Sequence, residues 1–127
     1  MKAAVLVIVD DEADMRLLIR VTLGRDSRLE LVGEAGSAEE AIDVARETQP
    51  AAVVLDHGLN GSGMTGLQAA PLIKEVAPAA KIVLFTAYDM GTEAAAEPAI
   101  DAFVPKTDIR ILLPVVDSLL GLAPLLS

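Results

Sequence analysis

The chain has 127 residues and no cysteine, and 19 aspartates and glutamates outnumber 10 lysines and arginines, which gives a formal net charge of −9. This length suits one domain with a hydrophobic core, so we expect residues 1–127 to form a single domain. The composition excludes disulfides and thiolate metal sites, and the negative charge argues against direct nucleic-acid binding by this chain.

The N-terminal half alternates between strand and helix patterns. Residues 3–9 are continuously apolar, which is typical of a strand covered on both faces. This run is too short for a signal peptide or a membrane span, so we expect a cytoplasmic protein without membrane contact. A helix follows, ended by Gly24, with apolar residues at helical spacing: Met15, Leu18, Ile19 and Leu23. Residues 29–35 then predict a half-polar edge strand, and Ser37 with Glu40 predicts a capping box that opens the second helix.

The C-terminal half continues the alternation. The pattern predicts strands over 51–55, 81–85 and 102–104, and helices over 66–76 and 109–120, the last ended by Gly121. A short fourth helix is expected within residues 89–100. Strand and helix therefore alternate five times, which favours an α/β fold with a parallel sheet and right-handed crossovers.

Two prolines interrupt these helical patterns. Pro71 and Pro114 lie inside predicted helices, where proline removes a backbone hydrogen bond and clashes with the preceding turn. We therefore expect a kink or a delayed helix start at each of them.

Polar residues mark the carboxyl ends of four predicted strands: Asp10 and Asp11, Asp56, Thr86 with Ala87, and Lys106. In a parallel sheet these ends share one edge, where open α/β sheets bind ligands. Three carboxylates in one place repel each other, and a hard divalent cation such as Mg²⁺ would neutralise them. An acidic loop balanced by a lysine is the simpler alternative for any single acidic pair.

With Mg²⁺ present, the residues would take separate roles. Asp56 is the candidate nucleophile, because carboxylates accept phosphoryl groups as aspartyl phosphates. Phosphoryl transfer spreads charge over three oxygens, which the metal, the Lys106 ammonium, and the Thr86 hydroxyl with the Ala87 amide would each stabilise.

This set of residues resembles the receiver domain of two-component response regulators, over essentially the whole chain. The resemblance rests on Val9-Asp10-Asp11-Glu12 with Arg16 beyond it, Asp56, Thr86-Ala87, and Phe103 three residues before Lys106. Val32-Gly33-Glu34-Ala35-Gly36 followed by Ala41 is similar to receivers that precede helix-turn-helix output domains.

The resemblance implies a flavodoxin-like, doubly wound α/β/α sandwich with five strands in the order 2-1-3-4-5. A sensor histidine kinase or a histidine phosphotransfer protein would phosphorylate Asp56. Mg²⁺, or Mn²⁺ in its place, would be bound directly by Asp11, Asp56 and the Gly58 carbonyl, and by Asp10 through water. Thr86 and Phe103 would switch conformation, and output would pass through a downstream protein partner or a homodimer. Such a chain catalyses only its own phosphorylation and dephosphorylation.

Several positions depart from the family pattern. Asn60 and Met64 stand where the family usually has proline and glycine, and the matching segment 63–67 comes two residues late. Gly61-Ser62 therefore resembles an insertion, which we expect to lengthen and loosen the loop over the site. The span from Thr86 to Phe103 is shorter than usual, and Thr107 stands where a cis proline is frequent.

Two side chains beside Asp56 carry separate expectations. Tyr88, at a position that tunes phosphoryl loss in this family, is expected to shield the site and prolong the phosphoaspartate. His57 should point away from Asp56, because side chains alternate along a strand, and is interpreted as structural.

Three alternatives remain open from the sequence. One is a degenerate receiver that binds proteins without phosphorylation. Another is a Mg²⁺-dependent phosphohydrolase or phosphotransferase of the haloacid-dehalogenase type, although Gly58 stands where such enzymes have a second aspartate. The third is a flavodoxin-like nucleotide-binding module, although the acidic residues after the first strand would repel a phosphate.

Overall fold

The computed structural model describes residues 4–125, and their side chains from Val7 onward. Strands and helices alternate along this range: β1 (Ala4–Val9), α1 (Ala13–Leu23), β2 (Leu29–Ala35), α2 (Ala38–Thr48), β3 (Ala52–Leu55), α3 (Gly66–Val76), β4 (Lys81–Thr86), α4 (Gly91–Ala96), β5 (Ala102–Pro105), a 3₁₀ segment (Lys106–Ile111) and α5 (Leu112–Leu119). The strands pair in parallel in the order β2-β1-β3-β4-β5. This confirms the predicted fold class and strand order.

The sheet separates two hydrophobic cores, because successive strand residues point to opposite faces. Val7 and Val9 of β1 pack with α2, α3 and α4, whereas Ile8 between them packs with α1 and α5. The α2–α3 side is lined largely by alanines, which let these helices lie close to the sheet: Ala38, Ala41, Ala45, Ala69 and Ala70. Helices on both faces complete the three layers.

The predicted boundaries hold to within a residue or two for most elements. β2 and α3 match the prediction, and Ala3, predicted as the first residue of β1, lies outside the described range. In α1 the side chain of Leu18 is 46% exposed, and Ile19 and Leu23 are the buried residues of the helix. No helix found among residues 4–125 has the length and apolar character needed to cross a membrane.

The two prolines behave differently. Pro114 is the third residue of α5, because the 3₁₀ segment delays the helix to Leu112, as expected. Pro71 lies inside α3, which begins at Gly66, so the alternative of a delayed start was wrong there. The fourth helix is short, as predicted, with six residues. The peptide bond between Lys106 and Thr107 is trans.

A buried pair of carboxyl groups joins the α1–β2 loop to α5. Asp26 and Asp117 are 1% and 2% exposed, and Arg28 is the cation beside them. The Arg28 Nη2 lies 2.8 Å from Asp26 Oδ2 and 3.6 Å from Asp117 Oδ2, and it also donates to the Ala123 carbonyl at 2.7 Å. Among the described side chains, Asp117 Oδ1 is buried without a hydrogen-bond partner.

The electrostatics assign different protonation states to the two carboxyl groups. The hydrogen bond from Arg28 lowers the pKa of Asp26, whereas burial, followed by the neighbouring Asp26, raises the pKa of Asp117 to about 6. Below that pH, Asp117 is a neutral carboxylic acid beside the Asp26 carboxylate. One guanidinium and one neutral carboxyl group therefore limit the negative charge of this buried cluster.

The Asp117→Asn substitution should stabilise the protein above neutral pH. The folded state retains the Asp117 proton up to about pH 6, whereas the unfolded chain loses it near pH 4. The stability contributed by the pair is therefore complete below about pH 4 and is lost as the pH rises through about 6. We expect urea unfolding at pH 8 to show a gain on the order of 2 kcal/mol for the variant, shrinking at pH 5. The exposed Asp43→Asn is the matched control, and a pH-independent difference would contradict this assignment.

Candidate functional site

The polar residues at the strand ends meet at one edge of the sheet, as predicted. Asp10 follows β1, Asp56 follows β3, Thr86 ends β4 and Lys106 follows β5. The carboxylates of Asp10, Asp11 and Asp56 offer oxygen atoms that lie within 4.8 Å of one another. Residues that are 96 positions apart in the chain are therefore brought into direct contact.

Lys106 joins two of the three carboxylates. Its ammonium lies 2.7 Å from Asp10 Oδ2 and 2.9 Å from Asp56 Oδ2. Burial lowers the pKa of Lys106, but hydrogen bonds and charge attraction from both aspartates outweigh burial, so the pKa is raised overall. Lys106 is therefore charged at neutral pH, and its one positive charge faces three carboxylates.

Asp10 is completely buried, and its carboxylate is held by the protein on both oxygens. Oδ1 accepts the Glu12 N–H at 2.9 Å, and Oδ2 accepts from Lys106. Burial raises the pKa of Asp10, although both hydrogen bonds oppose this. These contacts leave Asp10 less free to bind a metal directly than its neighbour Asp11.

Asp11 and Asp56 present more accessible oxygens. Asp56 is 6% exposed, and its Oδ1 accepts the His57 N–H at 2.7 Å. Asp11 is half-buried, and its Oδ2 accepts the Asn60 N–H at 3.1 Å. A set of carboxylate oxygens with an excess of negative charge is the donor chemistry that a hard divalent cation requires. The residues therefore fit a metal ion of this class.

Thr86 and Phe103 lie on the neighbouring strands. Thr86 is completely buried at the end of β4, and its hydroxyl accepts the Tyr88 N–H at 3.4 Å. Ala87, the next residue, is exposed. Phe103 is partly buried and packs against the core on the α4 side of the sheet, close to Gly91 at the start of that helix. Thr86 on β4 and Phe103 on β5 thus link the carboxyl edge of the sheet to the start of α4.

Tyr88 packs its ring against Gly58, two residues after Asp56. Its ring lies so close to Gly58 that a Cβ there would be 2.8 Å from Tyr88 Cε2, although 59% of Tyr88 is exposed. The ring meets His57 edge-to-face, with centroids 5.7 Å apart. The His57 Nδ1 accepts the Leu67 N–H of α3 at 3.4 Å, so the imidazole is directed toward that helix, as the structural interpretation of His57 predicted.

The inserted loop, which the sequence predicts to be longer and looser, is hydrogen-bonded to the first turn of α2. Ser62 Oγ accepts the Ala38 N–H at 2.9 Å, and the Gly63 N–H donates to Glu39 Oε2 at 2.9 Å. The turn itself uses Gly61 at φ +83°, a conformation that favours glycine. The insertion therefore binds the first turn of α2 and satisfies one of its free N–H groups.

After the insertion, the segment that matches the family pattern, residues 63–67, places Gly66 at the start of α3. The Gly66 N–H donates to the His57 carbonyl at 2.9 Å, and a Cβ at this position would overlap the Asp56 carbonyl oxygen. Only glycine allows α3 to begin this close to Asp56. Between this loop and the segment after β4 lies an open cleft of about 600 Å³, bordered by Leu59, Met64, Tyr88 and Met90.

Comparison with known proteins supports the resemblance to receiver domains. A family model described as the response regulator receiver domain matches residues 6–115. The response regulator protein VraR of Staphylococcus aureus is 33% identical over 101 residues, which cover 78% of this chain and 47% of that protein. This chain thus spans about half the length of such curated relatives.

Solved structures of response regulators are also similar to this chain. A LuxR-family two-component response regulator from Aurantimonas sp. SI85-9A1 has a TM-score of 0.83 and 31% identity, and the match covers 93% of this chain and 85% of that one. The response regulator domain of Thermotoga maritima CheB, at 18% identity, shares the fold with a TM-score of 0.80, covering 94% of this chain and 98% of that one.

Because the three carboxylates suit a hard divalent cation, we expect Mg²⁺ to stabilise the folded protein through Asp11. With Mg²⁺ at about ten times its dissociation constant, linkage gives a gain of about 1.4 kcal/mol in the free energy of unfolding. Asp11→Asn should abolish this gain because it removes the most accessible carboxylate, whereas the exposed Asp14→Asn, with the same charge change on α1, should retain it. Thermal unfolding with and without Mg²⁺ measures both, and an equal Mg²⁺ response in all three proteins would exclude this metal site.

Proposed function

This chain belongs to the response regulator receiver domain family, and from that premise we propose that it accepts a phosphoryl group on Asp56 in a Mg²⁺-dependent reaction. The donor would be the phosphohistidine of a sensor histidine kinase or of a histidine phosphotransfer protein. The proposal includes a cytoplasmic location and a single receiver domain over residues 1–127. Its only catalytic activity would be its own phosphorylation and dephosphorylation.

One observation carries the proposal: Asp56 is the carboxylate around which the other groups are arranged. Its Oδ2 is 2.9 Å from the Lys106 ammonium, Asp11 lies within metal-sharing distance, and β4 places Thr86 on the adjacent strand. Both carboxylates accept hydrogen bonds on each oxygen, but Asp10 is completely buried, whereas Asp56 is 6% exposed and is therefore better placed to meet a phosphodonor. Asp56 is therefore the best placed nucleophile.

The residues then act as follows. A carboxylate oxygen of Asp56 forms a bond to phosphorus as the bond between phosphorus and the donor imidazole nitrogen breaks, and that nitrogen keeps the electron pair. Lys106 offers its ammonium to one phosphoryl oxygen, and the Thr86 hydroxyl with the Ala87 N–H offers hydrogen bonds to another. Asp11, Asp56 and the Gly58 carbonyl would hold Mg²⁺, with Asp10 acting through water. Bound there, Mg²⁺ supplies positive charge to the transferring group; Mn²⁺ suits the same ligands.

The conformational response would pass through Thr86 and Phe103. A Thr86 hydroxyl drawn toward the phosphoryl group would leave room behind it, and Phe103 on the neighbouring strand would turn inward. Because Phe103 lies beside the start of α4, this change would alter the α4–β5 surface. A downstream protein partner or a second copy of the chain would bind that surface, with no direct contact to nucleic acid or membrane by this chain.

The second candidate, a degenerate receiver that acts without phosphorylation, draws on the inserted loop and the short α4. The complete set of acid, threonine and lysine groups argues against it, because such a set has no evident use without a phosphoryl group. Family membership likewise disfavours the phosphohydrolase and nucleotide-binding alternatives.

The direct test is incubation with Mg²⁺ and a small-molecule phosphodonor, followed by intact mass spectrometry. We expect the wild type to gain the mass of one phosphoryl group, and we expect neither Asp56→Asn nor a Mg²⁺-free sample to do so. Asp101→Asn, which removes a carboxylate outside the site, is the charge-matched control and should be modified normally. The absence of any Mg²⁺-dependent adduct on the wild type would falsify the proposal.

Tyr88 should slow the loss of the phosphoryl group to water. Its ring packs against Gly58 and lines the cleft, where it would restrict the approach of water to Asp56. Tyr88→Ala should therefore lose the phosphoryl group faster, by about threefold to tenfold, an activation-energy change of about 1 kcal/mol. Tyr88→Phe keeps the ring and should decay at the wild-type rate. An unchanged or slower rate in Tyr88→Ala would refute this role.

A further inference from the structure

We propose that Arg16 is a positioning residue for the metal-binding loop, holding the Asp10 carbonyl and so fixing the direction in which Asp11 leaves β1. This inference rests on the proposed Mg²⁺-dependent function. It assigns a role to two sequence features that the reaction itself does not use, Arg16 and the Glu34 of the Val32–Gly36 segment.

The Arg16 guanidinium connects the loop to the edge strand. Its Nη1 donates to the Asp10 carbonyl at 2.6 Å, and its Nε donates to Glu34 Oε1 at 3.2 Å. Both side chains are mostly buried, at 22% and 24% exposure, so solvent competes weakly for these contacts. A planar guanidinium with donors in a fixed fork can reach both acceptors at once, which a lysine ammonium on one flexible stem cannot do in the same way.

The Asp10 carbonyl needs such a donor because the β1–β2 ladder ends there. The Asp10 N–H still donates to the Ala35 carbonyl at 3.1 Å, but β2 ends at Ala35 and the chain turns into α2 after Ser37. The donor that would continue the parallel ladder to the Asp10 carbonyl is the Ser37 N–H, but Ser37 is already the N-cap residue of α2. Arg16 therefore takes the place of a strand partner for the last carbonyl before the metal-binding residue.

Holding this carbonyl fixes the orientation of the following residue. The Asp10 carbonyl and the Asp11 N–H belong to one planar peptide unit, so a rotation of one is a rotation of the other. Asp10 is already fixed at its N–H and at both carboxylate oxygens, and Arg16 completes the set. The peptide plane from which the Asp11 side chain projects toward Asp56 is thereby determined before any metal binds.

Arg20 provides a matched control on the same helix. It lies one turn after Arg16 in α1 and pairs with Oε2 of the same Glu34, but it is more exposed, at 53%. Arg20→Ala removes the same charge and also breaks an ion pair with Glu34, while the Arg16 contact to the Asp10 carbonyl stays in place. Any effect specific to the loop should therefore separate Arg16 from Arg20.

The test is a titration of wild type, Arg16→Ala and Arg20→Ala with Mg²⁺ alone, followed by amide chemical shifts in NMR spectra. Loss of a group that orients a metal ligand typically weakens metal binding by about tenfold or more, and we expect this for Arg16→Ala, against about twofold or less for Arg20→Ala. Phosphorylation rates measured against Mg²⁺ concentration should shift to higher Mg²⁺ in Arg16→Ala by the same factor. At saturating Mg²⁺ the rate should return close to the wild-type value.

Each outcome is decisive. Equal Mg²⁺ affinities in wild type and Arg16→Ala, or equal losses in Arg16→Ala and Arg20→Ala, would overturn the positioning role. If Arg16→Ala fails to fold, Arg16→Lys replaces it. The Mg²⁺ affinity of Arg16→Lys is expected to be lower than those of wild type and Arg20→Ala, by less than about tenfold. Wild-type Mg²⁺ affinity in Arg16→Lys would overturn the role. A wild type that is not phosphorylated at all would instead refute the proposed function.

Discussion

Three carboxylates lie close together at the carboxyl edge of the sheet, where the Lys106 ammonium contacts two of them, and this excess of negative charge determines the character of the site. Lys106 neutralises part of the charge by contacting Asp10 and Asp56 together, and burial keeps these contacts free of competing water. Among the side chains that the structure describes, none forms an ion pair with Asp11, whose hydrogen bond is to the Asn60 backbone. The site thus carries an excess of negative charge that a divalent cation can relieve, and the same arrangement places Asp56 against the Lys106 ammonium.

The surroundings of these groups hold them in place from several directions. β1, β3 and β5 supply the acidic residues and the lysine, while Gly66 lets α3 begin directly against Asp56. The inserted turn at Gly61-Ser62 is attached to the first turn of α2, and Arg16 connects the loop after β1 to β2. The short α4, with Phe103 packed nearby, forms a different surface beside β5 than a longer helix would.

The sequence was sufficient for the fold and for the shared position of the polar residues because both depend on a simple geometric rule. Parallel strands place their carboxyl ends together, so the sequence alone assigns Asp10, Asp56, Thr86 and Lys106 to one edge. Contacts that depend on side-chain packing could not be assigned in this way. The Asp26–Asp117 pair joins segments far apart in the chain through burial, the attachment of Ser62 to Ala38 depends on the path of one turn, and the exposure of Leu18 depends on how α1 rotates against the sheet.

We propose that Asp56 accepts the phosphoryl group while Asp11 serves as a metal ligand and Lys106 as the cation. A crystal structure with Mg²⁺ and beryllofluoride, a phosphoryl mimic, would show these groups together. We expect beryllofluoride on the Asp56 carboxylate, within hydrogen-bond distance of the Lys106 ammonium and the Thr86 hydroxyl, with Mg²⁺ bound to Asp11 and Asp56. An adduct on another carboxylate, or Mg²⁺ bound away from Asp11 and Asp56, would contradict this proposal.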